Sequence, residues 1–460
     1  MKKSTPSLIL LLFVFSFCTP KNDLETTFDT QYGDLASQQK PGFAIGVIHQ
    51  GEIRLSKGYG LANLAYQVPF TDTTVSDLGS VSKQLTTFAL CLLEEQGKLS
   101  LNDTIRTYLP YLPAFGDSLT LHHLARHTSG LPDVYALLSL RGMADGDYVS
   151  QQFAPRFSSK IRSLGFLPGS QHMYSNTGYM LLAEIMGVAS GQSFEAYMQQ
   201  ALFQPLGMSH TFIMDRQGEV FKNVASSYLA TDEGYVEIYD NSTVQGAGGV
   251  YSTIPDMLRW LENFRNETIG SPATHQQMKE KTVLTGGDTI SYALGITVDQ
   301  YRGQDRITHN GSSAGYRSKL SYYPELKLGL IIKSNTPEIG YQEFMKMENT
   351  VLEALVPGLS PLKAPDAPTE TTDWMPENLQ VAEGLYYNKD LELTLTLTAK
   401  DGLLVETYTQ SLGILSPVSE NSFSNGFLTL EFMQGQPGTP VSFTLSTPRA
   451  LNFRFTKMDE

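Results

Sequence analysis

The feature that most constrains the fold is the position of extended apolar segments at both ends of a long stretch whose middle is helical. Residues 43–48 and 53–55 alternate around a turn at His49-Gln50-Gly51-Glu52, which predicts a hairpin. The other extended segments are 306–309, 317–323 and 328–333. Apolar residues recur at helical spacing in the segments 81–96, 119–127, 177–189, 194–203 and 255–264. This order predicts one α+β domain whose antiparallel sheet unites its first and last strands.

A second domain is predicted after a proline-rich segment. Five prolines without a regular period indicate a semi-rigid linker over residues 357–376. Beyond it, residues 391–398 alternate strictly between apolar and polar, and Lys400-Asp401-Gly402 forms a turn signal. Residues 377–460 are therefore predicted to be a small all-β domain, either a sandwich or a barrel, and residues 32–356 the larger domain.

The N-terminus resembles a secretory signal. Lys2 and Lys3 precede an apolar run over residues 8–17 that is too short to span a bilayer. Cys18 follows directly, as in a bacterial lipobox, although Phe17 stands where a small residue is usual. We predict a signal peptide over residues 1–17, a lipid anchor on Cys18 that binds the bacterial membrane, and a polar linker over residues 18–31. The protein is then exported to the cell envelope, or secreted if Cys18 carries no lipid.

Charge and metal-ligand patterns exclude two classes of function. The chain has 33 Lys and Arg against 47 Asp and Glu, a net charge of −14 without a basic patch, so nucleic acid is not an expected partner. His123 and His127 have the i, i+4 spacing of a zinc helix, and His122 is adjacent, but the glutamate between them and a third ligand are missing. We predict no metal ion and no cofactor, with His127 bonded to the loop that follows its helix.

One candidate nucleophile matches a motif in the wrong structural setting. Gly311-Ser312-Ser313-Ala314-Gly315 fits the Gly-x-Ser-x-Gly elbow, in which a helix follows the serine. Here the residues that follow are extended, so we interpret this match as accidental.

Ser-x-x-Lys is the other serine signature, because a lysine three residues after a serine lies on the same helix face and, when uncharged, can take the hydroxyl proton. It occurs at Ser37, Ser80 and Ser360. Only Ser80, with Lys83, stands at the head of a long apolar helix, whose N-terminal N–H groups favour developing negative charge. Taken alone, Ser80 is equally well explained as a helix cap and Lys83 as a solvated residue.

Two further strings supply partners for this chemistry. In Tyr174-Ser175-Asn176 the phenol can shuttle a proton and the amide can orient a lysine or a substrate. The same string recurs at residues 239–241 and 386–388, and Tyr174 and Asn176 also suit a packing residue and a helix cap. His309-Asn310-Gly311 ends a predicted strand, where Gly311 would allow a substrate backbone to approach closely.

The order of the three motifs resembles the serine β-lactamase and penicillin-binding protein superfamily. Its class C-like branch is further matched by residues 124–132, 166–170, 205–208 and 246–252. The resemblance covers about residues 32–355 and implies an antiparallel sheet with helices on both faces. The strand at residue 391 and Gly384-Leu385-Tyr386-Tyr387 resemble the lipocalin-like C-terminal domains of such peptidases.

The resemblance also implies a role for each residue. Ser80 would be the acylated nucleophile, Lys83 its base, Tyr174 the general acid and base, and Asn176 the residue that holds Lys83 and the substrate amide. The backbone N–H groups of Ser80 and Ser312 would form the oxyanion hole.

The third motif departs from the lactamase pattern. His309 stands where lactamases and transpeptidases have a lysine, and an ordinary histidine is mostly neutral at pH 7, so substrate carboxylates should bind less strongly. Histidine at this place is similar to D-aminopeptidases, alkaline D-peptidases and esterases of the branch. Arg317 on the next strand could restore a charge.

These observations predict an exported serine hydrolase for small amides or esters, such as D-amino-acid peptides or esters. The alternatives are a β-lactamase or DD-carboxypeptidase, and a non-catalytic lipoprotein that binds or senses cell-wall peptides. The predicted partners are a small-molecule or peptide substrate and the membrane, and the sequence does not determine the oligomeric state.

Overall fold

A computed structural model describes residues 23–36, 39–143, 147–362, 382–408, 410–419, 421–433 and 442–458. The predicted signal peptide and Cys18 lie outside these residues, as do Ser37, Lys363 and most of the predicted proline-rich linker. Within the described ranges, no helix combines the length and the apolar character needed to cross a membrane.

The helices and strands are numbered in chain order. The helices are α1 Asp23–Tyr32, α2 Ser82–Glu95, α3 Leu121–Ala125, α4 Val134–Leu140, α5 Phe153–Ser158, α6 Asn176–Ser190, α7 Phe194–Met198, α8 Ile254–Asn266, α9 Pro272–Lys279 and α10 Tyr341–Leu355. The strands of the larger domain are β1 Phe43–His49, β2 Glu52–Tyr59, β3 Leu61–Asn63, β4 Val68–Pro69, β5 Ser76–Asp77, β6 Phe212–Ile213, β7 Ser227–Thr231, β8 Gly234–Ile238, β9 Val250–Ser252, β10 Thr282–Val283, β11 Thr289–Ile290, β12 Thr297–Tyr301, β13 Gln304–Ser313, β14 Tyr316–Tyr323 and β15 Leu328–Ser334.

A central antiparallel sheet joins the two ends of the larger domain. In the described residues its strand order is β12-β13-β14-β15-β1-β2. The first strand pairs with the last, with Phe43 opposite Ser334 and His49 opposite Leu328. The predicted union of the first and last strands in one α+β domain is therefore confirmed.

Helices cover both faces of this sheet because successive side chains of a strand point to opposite sides. On β1, Phe43, Ile45 and Val47 pack in one cluster with α1 and α10. Ala44 and Ile48 face the other way, into the cluster that contains α2, α6 and α8. This second face carries the helices that position the site.

The segment predicted as a polar linker is partly helical. Residues 23–32 form α1, and Leu24, Phe28 and Tyr32 are buried against the central sheet. These three residues recur every four positions, so they form one apolar stripe on an otherwise polar helix. The larger domain therefore begins earlier than the predicted residue 32.

The other predicted elements differ mainly in length. The segments 81–96, 177–189 and 255–264 correspond to α2, α6 and α8, whereas 194–203 is divided between α7 and a π-helical turn at Gln199–Phe203. Strand β13 does not end at His309-Asn310-Gly311 but continues to Ser313, because residues 310–313 pair with β14 up to a turn at Ala314 and Gly315. The predicted histidine motif thus lies within a strand.

The C-terminal domain is a closed barrel, which decides between the two predicted all-β forms. In the described residues its strands are β16 Gly384–Asn388, β17 Leu393–Ala399, β18 Leu403–Glu406, β19 Ser411–Ser419, β20 Ser422–Ser424, β21 Thr429–Phe432, β22 Ser442–Thr447 and β23 Ala450–Lys457. Each pairs with the next, and β16 pairs with β23. The alternating leucines of β17 point inward and form part of the barrel core.

The barrel packs directly on α4 of the larger domain. Leu137 and Leu140 belong to the same apolar cluster as the barrel interior. Gln410 Nε2 donates to Ser139 O at 2.6 Å, and Asn452 Nδ2 donates to Gly165 O at 2.9 Å. These contacts hold the β18–β19 connection and the start of β23 against the larger domain.

Truncation of Leu137 tests this packing. We expect Leu137→Ala to lower the free energy of unfolding by about 2–5 kcal/mol, because it leaves a cavity where α4 meets the barrel. Leu167→Ala is the control, since Leu167 is 78% exposed. Urea denaturation measures both, and equal midpoints for the two variants would contradict the packing described here.

Candidate active site

Ser80 lies in a tight turn at the head of α2. Gly79–Val81 forms a single 3-10 turn, and α2 begins directly afterwards. Gly79 has a φ of +50°, and a Cβ on it would lie 2.5 Å from the backbone nitrogen of Ser312 on β13. Asp77 Oδ1 accepts the Gly79 N–H at 2.8 Å and fixes the turn. A glycine is therefore needed here for Ser80 to lie against the edge of β13.

The Lys83 amine is fully buried and has three oxygen neighbours. Its Nζ lies 3.0 Å from Ser80 Oγ, 2.8 Å from Asn176 Oδ1 and 2.6 Å from Ala247 O. Burial lowers the pKa of Lys83 to about 7. The amine is therefore substantially uncharged near neutral pH.

The Ala247 carbonyl is held in place by the packing of its loop. Thr86 Oγ1 on α2 donates to Gly246 O at 2.9 Å. A Cβ on Gly246 would collide with Tyr179 O of α6, so the loop can approach α6 only with glycine at this position.

Asn176 is oriented by Asp133, a residue that the sequence analysis missed. Asn176 Nδ2 donates to Asp133 Oδ2 at 2.8 Å, and the backbone N–H of Asn176 donates to the same oxygen at 2.6 Å. Asn176 is thereby left with its amide oxygen facing Lys83. Asp133 Oδ1 also caps α4 through the N–H groups of Tyr135 and Ala136. An aspartate before an apolar helical run was the signal that could have identified it.

Tyr174 forms one wall of the site beside Lys83. Lys83 Nζ lies 5.0 Å from the centroid of the Tyr174 ring. Burial raises the pKa of Tyr174 well above its usual value, against the effect of a hydrogen bond with Ser80. The phenol is therefore protonated at neutral pH.

His127 belongs to the site rather than only to the end of a helix. Its ring centroid lies 4.1 Å from that of Tyr174, and its Nδ1 accepts the Ser175 N–H at 3.1 Å. Burial, followed by the charge of Lys83, lowers the pKa of His127 well below its usual value. The imidazole is therefore neutral, and Nε2 carries its proton because Nδ1 accepts.

Tyr292 connects His127 to His309. The Tyr292 hydroxyl lies 3.1 Å from His127 Nε2 and 3.3 Å from His309 Nε2. Since His127 Nε2 donates, the Tyr292 O–H donates onward to His309 Nε2, and His309 Nδ1 donates to Asn310 O at 2.7 Å. All four ring nitrogens of His127 and His309 thus have a hydrogen-bond partner when both imidazoles are neutral.

His309 therefore supplies no fixed positive charge. Burial, followed by Lys83, lowers the pKa of His309 to about 4. This agrees with the expectation that the third motif carries a neutral side chain.

Gly311 and Ser312 bring β13 close to the nucleophile turn. A Cβ on Gly311 would collide with Leu78 O and Ser318 Oγ. The glycine therefore serves the packing of the Ser80 turn rather than the close approach of a substrate, which we predicted.

Ser313 and Arg317 lie on either side of the turn that ends β13. Ser313 donates to Asp240 Oδ2 at 3.0 Å, and the turn that follows it leads into β14 and not into a helix. Arg317 pairs with Ser312 across the two strands, and its Nη1 donates hydrogen bonds to Ala314 O and Tyr316 O.

Two cavities meet at Ser80. The first, of about 380 Å³, has Asp77, Asp147 and Asp240 in its wall, and we name it the acidic cavity. Burial and the charge of Asp240 raise the pKa of Asp77 well above its usual value. The second, of about 540 Å³, is lined by Tyr174, Tyr292 and His309 and is named the tyrosine cavity.

Arg449 reaches this site from the barrel. It lies in the turn between β22 and β23 and lines both cavities. Its guanidinium carbon is 4.8 Å from the centroid of the Tyr174 ring. No local sequence signal identifies Arg449, because only the docking of the two domains brings it here.

Of the remaining candidates, some lie apart from this cluster and some border it. His122 and His123 lie on α3, where Nδ1 of His123 accepts the Thr120 N–H. The tyrosine string at residues 386–388 belongs to the barrel, whereas Tyr239 and Asn241 line the acidic cavity.

Comparison with known proteins gives a consistent relationship. The family model described as Beta-lactamase matches residues 24–348. Penicillin-binding protein 4* of Bacillus subtilis (strain 168) is 27% identical over 453 residues, which cover 94% of this chain and 96% of that protein. The D-aminopeptidase of Gluconobacter oxydans (strain 621H) is 27% identical over 296 residues, which cover 64% of this chain and 56% of that protein.

Solved structures share the fold. The octameric penicillin-binding protein homologue from Pyrococcus abyssi superimposes with a TM-score of 0.63 at 25% identity, covering 94% of this chain and 99% of that chain. The D-amino acid amidase from Ochrobactrum anthropi SV3, complexed with L-phenylalanine amide, has a TM-score of 0.60 at 22% identity, covering 72% of this chain and 98% of that chain.

The pKa of Lys83 generates a pH prediction. We expect the rate at which a fluorophosphonate modifies Ser80 to rise with pH through about 7, because only uncharged Lys83 can accept the hydroxyl proton. The rate is measured by quenched labelling and intact-mass spectrometry. Lys83→Met is the control and should label slowly without this inflection. A wild-type rate that is flat between about pH 6 and 8 would exclude Lys83 as the base.

Proposed function

Since the chain belongs to the beta-lactamase family and is a serine hydrolase, we propose that it is an exported enzyme that cleaves small amides or esters through an acyl group on Ser80. The family match confirms the resemblance drawn from the three motifs. The observation that carries the proposal is the contact of 3.0 Å between Ser80 Oγ and the buried amine of Lys83.

Acylation begins with transfer of the Ser80 proton. Uncharged Lys83 donates its two N–H groups to Asn176 Oδ1 and Ala247 O, which leaves its lone pair for the Ser80 hydroxyl. Ser80 Oγ then bonds to the substrate carbonyl carbon, and the resulting oxyanion accepts hydrogen bonds from the backbone N–H groups of Ser80 and Ser312.

The leaving group departs with the proton that Ser80 gave up. Tyr174 is protonated and contacts both Ser80 and Lys83, so its hydroxyl passes its proton to the leaving nitrogen or oxygen as that bond breaks and takes up the proton that Lys83 received from Ser80. Water then attacks the acyl group, and the same residues return the proton to Ser80 as the acid is released.

The substrate class is proposed from the neutral third motif and from the relatives. Uncharged His309 supplies no cation at the place of the lactamase lysine. A relative is named D-aminopeptidase, and a neighbour in fold is named D-amino acid amidase. D-amino-acid peptides, amides and esters are therefore our first candidates. The likeness of 27% to a penicillin-binding protein over 94% of this chain favours a cell-wall carboxypeptidase as the second.

The location is proposed from the N-terminal sequence. Lys2, Lys3, the apolar run over residues 8–17 and Cys18 support export to the cell envelope and a lipid anchor. Metabolic labelling with an alkyne fatty acid tests the anchor, and Cys18→Ala should abolish the label.

The nucleophile is tested by peptide mapping after fluorophosphonate treatment. We expect the adduct on Ser80 and expect Ser80→Ala to lower kcat/KM by on the order of 10⁴-fold or more. Ser313→Ala is the matched control, because Ser313 lies in the same cleft without a lysine partner. An adduct on Ser313 would overturn the assignment, and the absence of any adduct would favour a binding protein.

The substrate class is tested with paired D- and L-alanine amides, D-alanyl-D-alanine carrying an N-acyl group, and a chromogenic cephalosporin. We expect the D-alanine amide to be cleaved with a kcat/KM at least about 10-fold above that of the L-amide. Faster turnover of the N-acylated peptide would favour the carboxypeptidase, and faster turnover of the cephalosporin a β-lactamase.

A further inference from the structure

Arg449 is a cation without a counter-ion at the edge of the candidate active site. In the described parts of the chain, its guanidinium has neither a hydrogen bond nor an ion pair, and its contact is the face of the Tyr174 ring at 4.8 Å. A guanidinium has a planar set of donors that matches a carboxylate in two parallel hydrogen bonds. Its five N–H groups therefore remain available to a ligand.

The backbone of Arg449 is anchored although its side chain is exposed. Its carbonyl oxygen accepts the Asp133 N–H at 2.8 Å. The next residue, Ala450, is fully buried in the barrel core, and Asn452 bonds to Gly165 of the larger domain. The side chain therefore starts from a defined position above Tyr174.

The charges around Ser80 indicate which half of a substrate Arg449 meets. Asp147 and Asp240 in the acidic cavity would repel an anion. The described residues that line the tyrosine cavity include no aspartate or glutamate, whereas Arg317 and Arg449 border both cavities. An anionic group of the substrate is thus favoured on the side of Tyr174.

Tyr174 identifies this side as that of the leaving group. In the proposed mechanism its hydroxyl gives a proton to the leaving nitrogen or oxygen. Because Arg449 covers the Tyr174 ring, its guanidinium lies beside the residue that gives the leaving group its proton.

We propose that Arg449 is a specificity-determining residue that binds a carboxylate on the leaving group of the substrate. The preferred substrates are then amides or esters whose departing half is an amino or hydroxy acid, such as the C-terminal residue of a short peptide. This inference rests on the proposed acylation of Ser80. As the bond between the carbonyl carbon and the leaving atom breaks, that atom takes its proton from Tyr174 and the carboxylate stays on Arg449.

Two D-alanyl aryl esters test the proposal because they differ only in the leaving phenol, which is 3-hydroxybenzoate or 3-hydroxybenzamide. We expect Arg449→Gln to lower kcat/KM by about 30-fold for the carboxylate ester and by less than about 3-fold for the carboxamide ester. Arg449→Lys keeps the charge and should recover part of the loss. Arg454→Gln is the control, since Arg454 lies on β23, directly after the turn that holds Arg449, but lines a different cavity.

A second measurement does not need turnover. D-Alanyl-D-alanine should slow the fluorophosphonate labelling of Ser80 more than its C-terminal amide does, and Arg449→Gln should remove this difference. Equal thermal midpoints for the wild type and the variant check that the fold is kept.

Two results would overturn the proposal. An equal loss on both esters would mean that Arg449 acts on Lys83 or Tyr174 and not on the substrate, and no loss on either would mean that it has no role in the reaction. A wild-type protein that forms no adduct on Ser80 would contradict the proposed function itself, whereas a normal adduct without discrimination by Arg449 contradicts this inference alone.

Discussion

The buried amine of Lys83 is the interaction on which the rest of the site depends. Burial lowers the pKa of Lys83, so the amine loses its charge more easily, and three oxygen neighbours then decide where its lone pair points. Two of these described neighbours are carbonyl oxygens that can only accept, so among the three it is the serine hydroxyl that can donate to the uncharged amine. The burial of Lys83 among these oxygens thus sets both the lowered pKa of its amine and the direction of its lone pair.

The two carbonyl oxygens are positioned by packing far from the nucleophile in sequence. Ala247 O is fixed because Gly246 packs closely on α6. Asn176 Oδ1 is fixed because the amide nitrogen of the same side chain donates to Asp133. Asp133 also caps α4 and bonds to the backbone of Arg449. One buried residue therefore links three parts of the site: its carboxylate holds Asn176 and caps the helix on which the barrel docks, and its backbone N–H donates to the carbonyl of Arg449.

The third motif shows how tertiary surroundings change the chemistry of a residue that is evident in the sequence. His309 was recognised as a departure from the lactamase lysine. Its neutrality depends on burial and on the nearby charge of Lys83. Hydrogen bonds through Tyr292 connect it to His127, so the three rings come from separate segments of the chain. Arg449, a cation of the same cleft, comes from another domain.

The sequence by itself determined the fold class and the candidate residues Ser80, Lys83, Tyr174 and Asn176, because hydrophobic periodicity and short motifs are local properties of the chain. It also placed the hairpins and most helices, but missed α1, whose three apolar residues are sparse in a polar segment. Only the tertiary structure decided the closure of the barrel, the extension of β13 and the roles of Asp133, Tyr292 and Arg449 as neighbours of the site. Their placement depends on side-chain packing and domain docking between residues distant in sequence, and no local pattern encodes a contact of that kind.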